Sequence, residues 1–310
     1  MFMTTSNENS QQKNSTIVRP VNQKIVLQTI ELISKVNPML GADLSLQVFT
    51  TPMAKKKRNH LFPLGTYQKE MTILDKKIVL HKYGQGPRKV LFVHGWEGAA
   101  SDFHKFFIPL KEAGYQAVAI DLPGHGNSPR SKLNAAQAAE IISYLELIQG
   151  PFSAIIGHSF GGFSTALATS KYSELSDIPF VSIGAPNKLK NIIRSFADVL
   201  NLSHLQKNYL EVKLEEKYHI NTNDFQFSKF IQYHQGPILI VHDENDKQVP
   251  ISTLDEIQKK NQQAQYIKTQ KLGHNRILRD VKVIEQILDF VIQYKDSRVQ
   301  FENAFKYGLI

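Results

Sequence analysis

Two hydrophobic registers alternate along this chain. Val90–Val93, Gln116–Ile120, Phe152–Ile156, Phe180–Ile183 and Pro237–Val241 are short, nearly continuous apolar runs, and Tyr266–Gln270 is a weaker one. Such runs, bounded by turn residues, read as strands buried on both faces. Between them apolar residues return at helical spacing. The alternation predicts an α/β architecture: a mostly parallel central sheet, starting near Tyr67, with helices on both faces.

Two segments fall outside the alternation. Ile25, Val26, Ile30, Ile33 and Val36 lie near helical spacing and predict an amphipathic helix over 22–36, stopped by Pro38, with a second short helix over about 42–49. A helix of this length is marginal alone in water, so this arm is expected to fold back on the rest of the chain. Residues 187–235 exceed a simple crossover. Helical patterns at Ile192, Ile193, Phe196, Val199 and Leu200, and at Leu205, Tyr209, Leu210 and Val212, predict a small helical cap there. The expected division is a polar, disordered tail (1–20), an amphipathic helical arm (21–60), an α/β core (61–186 and 236–295), the cap (187–235) and a C-terminal tail (296–310).

The most informative motif is Gly157-His158-Ser159-Phe160-Gly161-Gly162, between the run ending at Ile156 and a helical stretch of small residues. Strand, tight turn and helix with a serine at the apex is the context of a nucleophile elbow. Strand and helix nearly touch at such a turn, which requires tiny residues at Gly157 and Gly161. The turn would lift the Ser159 hydroxyl clear of the sheet and aim the Phe160 N–H at a developing oxyanion.

A serine hydroxyl needs a base, and the base needs an orienting acid. In elbow sites the chain order is serine, acid, histidine. An acidic loop, Asp243-Glu244-Asn245-Asp246, follows the run ending at Val241, and Gly273-His274 follows the strand candidate at 266–270. His274, expected in an exposed loop, is the candidate base. Asp246 and Asp243 compete for the acid. Ahead of the serine, His94-Gly95-Trp96 follows the run ending at Val93, and the Trp96 N–H is the candidate second oxyanion donor. Asp121-Leu122-Pro123-Gly124-His125-Gly126-Asn127-Ser128 reads as a turn braced by its aspartate.

These pieces resemble the α/β-hydrolase superfamily, in particular an esterase-like branch with a His-Gly motif, an Asp-x-Pro-Gly-His-Gly-x-Ser motif and a Gly-His-Ser-x-Gly-Gly elbow. The family's acid loop, Gly-x-x-Asp-x-x-Val-Pro, is met at 243–250 with Asp243 in place of the glycine. Val249-Pro250 sets the register and puts the acid on Asp246. The resemblance covers roughly residues 65–295 and implies the α/β-hydrolase fold, with the cap at a usual insertion point. It also implies a serine hydrolase that cleaves a carboxylic ester or related acyl compound through an acyl-enzyme, with Ser159, Asp246 and His274 as the catalytic residues. His94, Gly95, Trp96 and His158 would line the substrate pocket. Relatives that open epoxides or remove halide carry an aspartate in the elbow, and Ser159 argues against those activities. A ligand sensor with little turnover and a membrane-surface lipase or thioesterase remain the alternatives.

Composition narrows the picture further. Zero cysteines exclude disulfides and thiolate ligands and fit a cytoplasmic setting. No metal-ligand spacing and no nucleotide-binding glycine loop appears, so neither metal nor cofactor is expected. No run approaches the roughly 18 apolar residues that would span a bilayer. The net charge of +9 is partly local, in Lys55-Lys56-Lys57-Arg58, which reads as a solvated linker. No nucleic-acid motif accompanies it, and contact with a membrane surface is the less favoured reading. The expected partner is a small acyl substrate.

Overall fold

The computed structural model describes residues 21–294; the two expected tails, 1–20 and 296–310, and residue 295 of the expected core lie outside the described residues. The chain opens with helices α1 (Val21–Val36) and α2 (Pro38–Phe49). A hairpin of β1 (Tyr67–Ile73) and β2 (Lys76–Tyr83) follows, then β3 (Arg88–Val93), α3 (His104–Glu112), β4 (Tyr115–Asp121), α4 (Ala135–Gln149), β5 (Phe152–His158) and α5 (Phe160–Lys171). After β6 (Phe180–Ile183) come α6 (Leu189–Val199), α7 (His204–Tyr218) and the one-turn α8 (Phe227–Phe230). The chain then returns through β7 (Ile238–Asp243), α9 (Ser252–Lys260), β8 (Gln265–Thr269), the one-turn α10 (Gly273–Arg276) and α11 (Val281–Gln293).

The strands form one eight-stranded sheet in the order β1-β2-β4-β3-β5-β6-β7-β8. β1 and β2 pair antiparallel, as do β2 and β4, and every other pairing is parallel. The expected fold class therefore holds, with an antiparallel edge added. Side chains alternate between the faces. Leu91 and Val93 of β3 join a core with α4, α5, the cap and the arm, while Val90 and Phe92 join a second core with α3 and α11. Burial on both faces is why β3 to β7 read as apolar runs.

Pro38 does not merely stop the first helix. It opens the second, with Asn37 as the N-cap accepting the Leu40 N–H at 3.0 Å. Proline suits this position because its missing N–H would have no helical partner anyway. α2 packs on α7: Leu46 shares a core with Leu210 and Leu214, and the Gln206 amide donates to the Ser34 carbonyl. Only part of the predicted apolar stripe of α1 is covered. Ile30 is buried, but Ile25 and Val36 are exposed.

The basic run is not a solvated linker either. Lys55 donates to the Ser128 carbonyl, and Lys56 and Arg58 lie 3.7 and 3.9 Å from the Asp102 carboxylate. Just before it, the Met53 and Ala54 N–H groups both donate to Glu97 Oε1 at 3.1 Å. The linker is thus stitched across the loop that follows β3. Among the described residues no helix is long and apolar enough to cross a membrane.

Candidate active site

Parallel sheets build their sites beyond the carboxyl ends of the strands. Trp96 follows β3, Ser159 follows β5, Asp246 follows β7 and His274 follows β8. Ser159 sits at φ 52°, ψ −116° between β5 and α5, a strained conformation for a residue with a side chain. The closeness of strand and helix explains the flanking glycines. A Cβ on Gly157 would lie 2.7 Å from Gly162 Cα, and one on Gly161 would overlap the Val93 carbonyl oxygen.

His274 Nδ1 lies 2.6 Å from Asp246 Oδ2. The other carboxylate oxygen, Oδ1, accepts the N–H groups of Gln248 and Val249 at 2.8 and 2.9 Å. Burial opposes ionisation of Asp246, but the hydrogen bond to His274, the histidine charge and these two amides outweigh it and hold the carboxyl below its ordinary range. The pair lies over the end of β6, where a Cβ added to Gly184 would be 3.4 Å from His274 Nδ1 and 3.5 Å from Asp246 Oδ2. The Ser159 N–H donates to Ile183 O beside it, at 2.9 Å. His158, next to the serine, makes a 2.8 Å bond from Nε2 to the His274 carbonyl, and the two rings lie 4.7 Å apart.

His274 is not in an exposed loop as expected: it lies in α10 and is 8% exposed. The rival acid, Asp243, explains this. Its Oδ1 accepts the Asn245 and Gly273 N–H groups, and its Oδ2 accepts the Leu272 N–H and the Thr269 hydroxyl, all within 3.0 Å. Burial disfavours its charge, but these bonds hold its carboxyl below the ordinary range. Asp243 thereby folds the histidine segment, while Asp246 touches the imidazole.

Of the four residues expected to line a pocket, Trp96 does so; His94, Gly95 and His158 do not. A cavity of about 320 Å³ is lined by Ser159, Phe160 and Trp96 together with Phe163 of α5, residues of the α4 N-terminus, the cap, and Phe49 and Thr50 of the arm. His94 is buried behind it. Its Nε2 accepts the Leu122 N–H at 3.1 Å, which assigns the proton to Nδ1, 2.7 Å from the Gly95 carbonyl. It holds two loops together instead of meeting a ligand. Neither the Trp96 nor the Phe160 N–H donates to a protein acceptor among the described residues. Asp121 braces its turn as expected, accepting the Ala100 and Asn127 N–H groups, and it also meets His81 Nε2 at 2.8 Å.

Burial pushes His125 and His158 down to about 3 and His234 to about 4. A histidine whose folded value lies below its unfolded one takes up its proton only on unfolding. Between those two values stability therefore falls as pH falls, by about 1.4 kcal/mol per pH unit for each group. The depressed carboxylates Asp121, Asp243 and Asp246 act in the same direction, at lower pH. We expect the melting temperature to decline steadily from about pH 6 to about pH 4. A flat melting temperature over that range contradicts this assignment of buried neutral histidines.

An eight-stranded, mostly parallel sheet with a serine elbow after β5 and a histidine–carboxylate pair beyond β7 and β8 is the layout of an α/β-hydrolase. Residues 90–207 match the family described as the alpha/beta hydrolase family, and the fold is the α/β-hydrolase fold. It is 32% identical over 108 residues to an Escherichia coli 2-hydroxy-6-oxononadienedioate/2-hydroxy-6-oxononatrienedioate hydrolase, covering 32% of this chain and 36% of that protein. It is 26% identical over 219 residues to the human protein ABHD8, covering 57% of this chain and 48% of that one. The matches thus span between about a third and a half of these relatives. Among solved structures, a membrane phospholipase A described as a bacterial virulence factor superimposes with a TM-score of 0.58 at 14% identity, covering 89% of this chain and 98% of that one. That likeness shows the fold.

Proposed function

We propose that the protein is a serine hydrolase that cleaves a carboxylic ester or a related acyl compound through an acyl-enzyme. The observation that carries this reading is the convergence of the strained Ser159, facing an apolar cavity, with the His274–Asp246 pair tied to the same turn through His158. His274 Nε2 takes the proton as Ser159 Oγ attacks the acyl carbon. Asp246 keeps the imidazole proton on Nδ1 and stabilises the imidazolium. The Phe160 and Trp96 N–H groups, neither of which meets a protein acceptor among the described residues, hold the oxyanion; such donors typically lower a barrier by several kcal/mol. His274 returns the proton to the leaving group, and water then releases the acid by the same route.

The Escherichia coli relative is named for a dioate, whose acyl part carries a further carboxylate. Among the described residues no lysine, arginine or histidine lines the cavity, so an ionised acyl group would meet no partner among them. This favours uncharged acyl groups over that substrate. Exposed Ile25, Leu32, Val36, Met39 and Leu40 on the arm lend support to action at a membrane surface, which co-sedimentation with anionic vesicles tests.

The test of the main reading is labelling with a fluorophosphonate probe, paired with turnover of a panel of p-nitrophenyl esters and acyl thioesters. Labelling at Ser159 with turnover is the expected result. Specific binding of acyl compounds with neither labelling nor turnover would make the protein a sensor.

A further inference from the structure

We propose that Phe49, on the N-terminal arm, sets the length of the apolar acyl chain that the site accepts. This rests on the hydrolase reading above and assigns part of its specificity to a segment far from the elbow in sequence. Phe49 ends α2 and stands edge-on against Phe196 of the cap, with ring centroids 5.1 Å apart. Both rings line the cavity onto which Ser159 opens. At this pair of rings the arm and the cap together close the cavity wall.

The position of Phe49 is fixed. Thr50, the next residue, is buried; its carbonyl accepts the Leu133 N–H at 2.8 Å and its hydroxyl donates to Leu46 O at 3.1 Å. Farther along, Glu97 takes the Met53 and Ala54 N–H groups, tying the arm to the residue after Trp96. A wall held at both ends cannot swing aside for a longer chain. The cavity is at the small end of small-molecule sites, so one aromatic ring is a large share of the space.

Two measurements test this. The first is kcat/KM for straight-chain p-nitrophenyl esters from acetate to palmitate. Phe49→Ala should move the optimum to longer chains, with a gain over the wild type of about fourfold for each added methylene that finds room, while acetate turnover changes little. Gln47→Ala, on the exposed side of the same helix, should leave the profile unchanged. The second uses Trp96, the sole tryptophan, which lines the cavity. Its fluorescence on titration with straight-chain primary alcohols reports occupancy without turnover, and Phe49→Ala should shift the preferred alcohol in the same direction. Phe49→Leu, with an intermediate shift, serves if the alanine variant unfolds.

A folded variant hydrolysing esters with an unmoved optimum overturns the role of Phe49. If no ester is hydrolysed and no probe labels Ser159, yet alcohol preference still shifts, the hydrolase reading fails while the arm's place in the cavity stands.

Discussion

Ser159→Ala is expected to abolish fluorophosphonate labelling and to lower kcat by about a millionfold, the range seen when a serine hydrolase loses its nucleophile. Little stability should go with it. Ser159 is half-buried at a cavity wall, and its hydroxyl makes no hydrogen bond among the described residues, so no buried partner is orphaned. The elbow strain persists in alanine, so the backbone gains no reason to rearrange. Intact-protein mass after probe treatment and single-turnover kinetics read the two effects. Labelling that persists on the variant removes Ser159 from the role.

The second large effect separates the two aspartates. Asp246→Asn should fold normally and depress turnover by about 10⁴. An asparagine can keep its oxygen on the Gln248 and Val249 amides while presenting its NH₂ to His274 Nδ1, which forces the proton onto the nitrogen that should act as base. Asp243→Asn should act mainly on stability. Each Asp243 oxygen accepts two hydrogen bonds, and an amide nitrogen in either place faces a donor with nothing to accept it. The cost is about 2 kcal/mol or more. Melting temperatures and kcat measured on both variants decide. A catalytic loss confined to Asp243→Asn would reverse the assignment.

The five strands from β3 to β7 were legible because burial on both faces writes a continuous apolar run. At β1 only the start of the sheet near Tyr67 was legible, not the antiparallel edge, because Tyr67, Gln68, Lys69 and Glu70 are all exposed and carry no period-two signal. The elbow was legible because its glycines answer a local steric demand. The acid needed the spacing to Val249-Pro250, since Asp243 and Asp246 look alike in sequence and differ only in which groups surround them. His158 beside the serine looked like pocket lining, but the turn aims it at the His274 carbonyl, a contact 116 residues away that no local pattern encodes. The same holds for Phe49. Its helix was readable from spacing, but its place in the cavity depends on where α7 lies.

The arm also constrains the order in which this molecule can be made. Gln206 holds Ser34 across 172 residues of chain, and α7, the platform for α2, spans His204–Tyr218. On a ribosome the arm emerges first and its platform follows on the order of 10–30 s later. Until then Leu46 lacks Leu210 and Leu214, with which it shares a core, and the cavity lacks Leu214 and Tyr218 from its wall. Nascent chains stalled before residue 204 should therefore be cut by protease within α1 and α2, whereas chains released at full length should resist cleavage there.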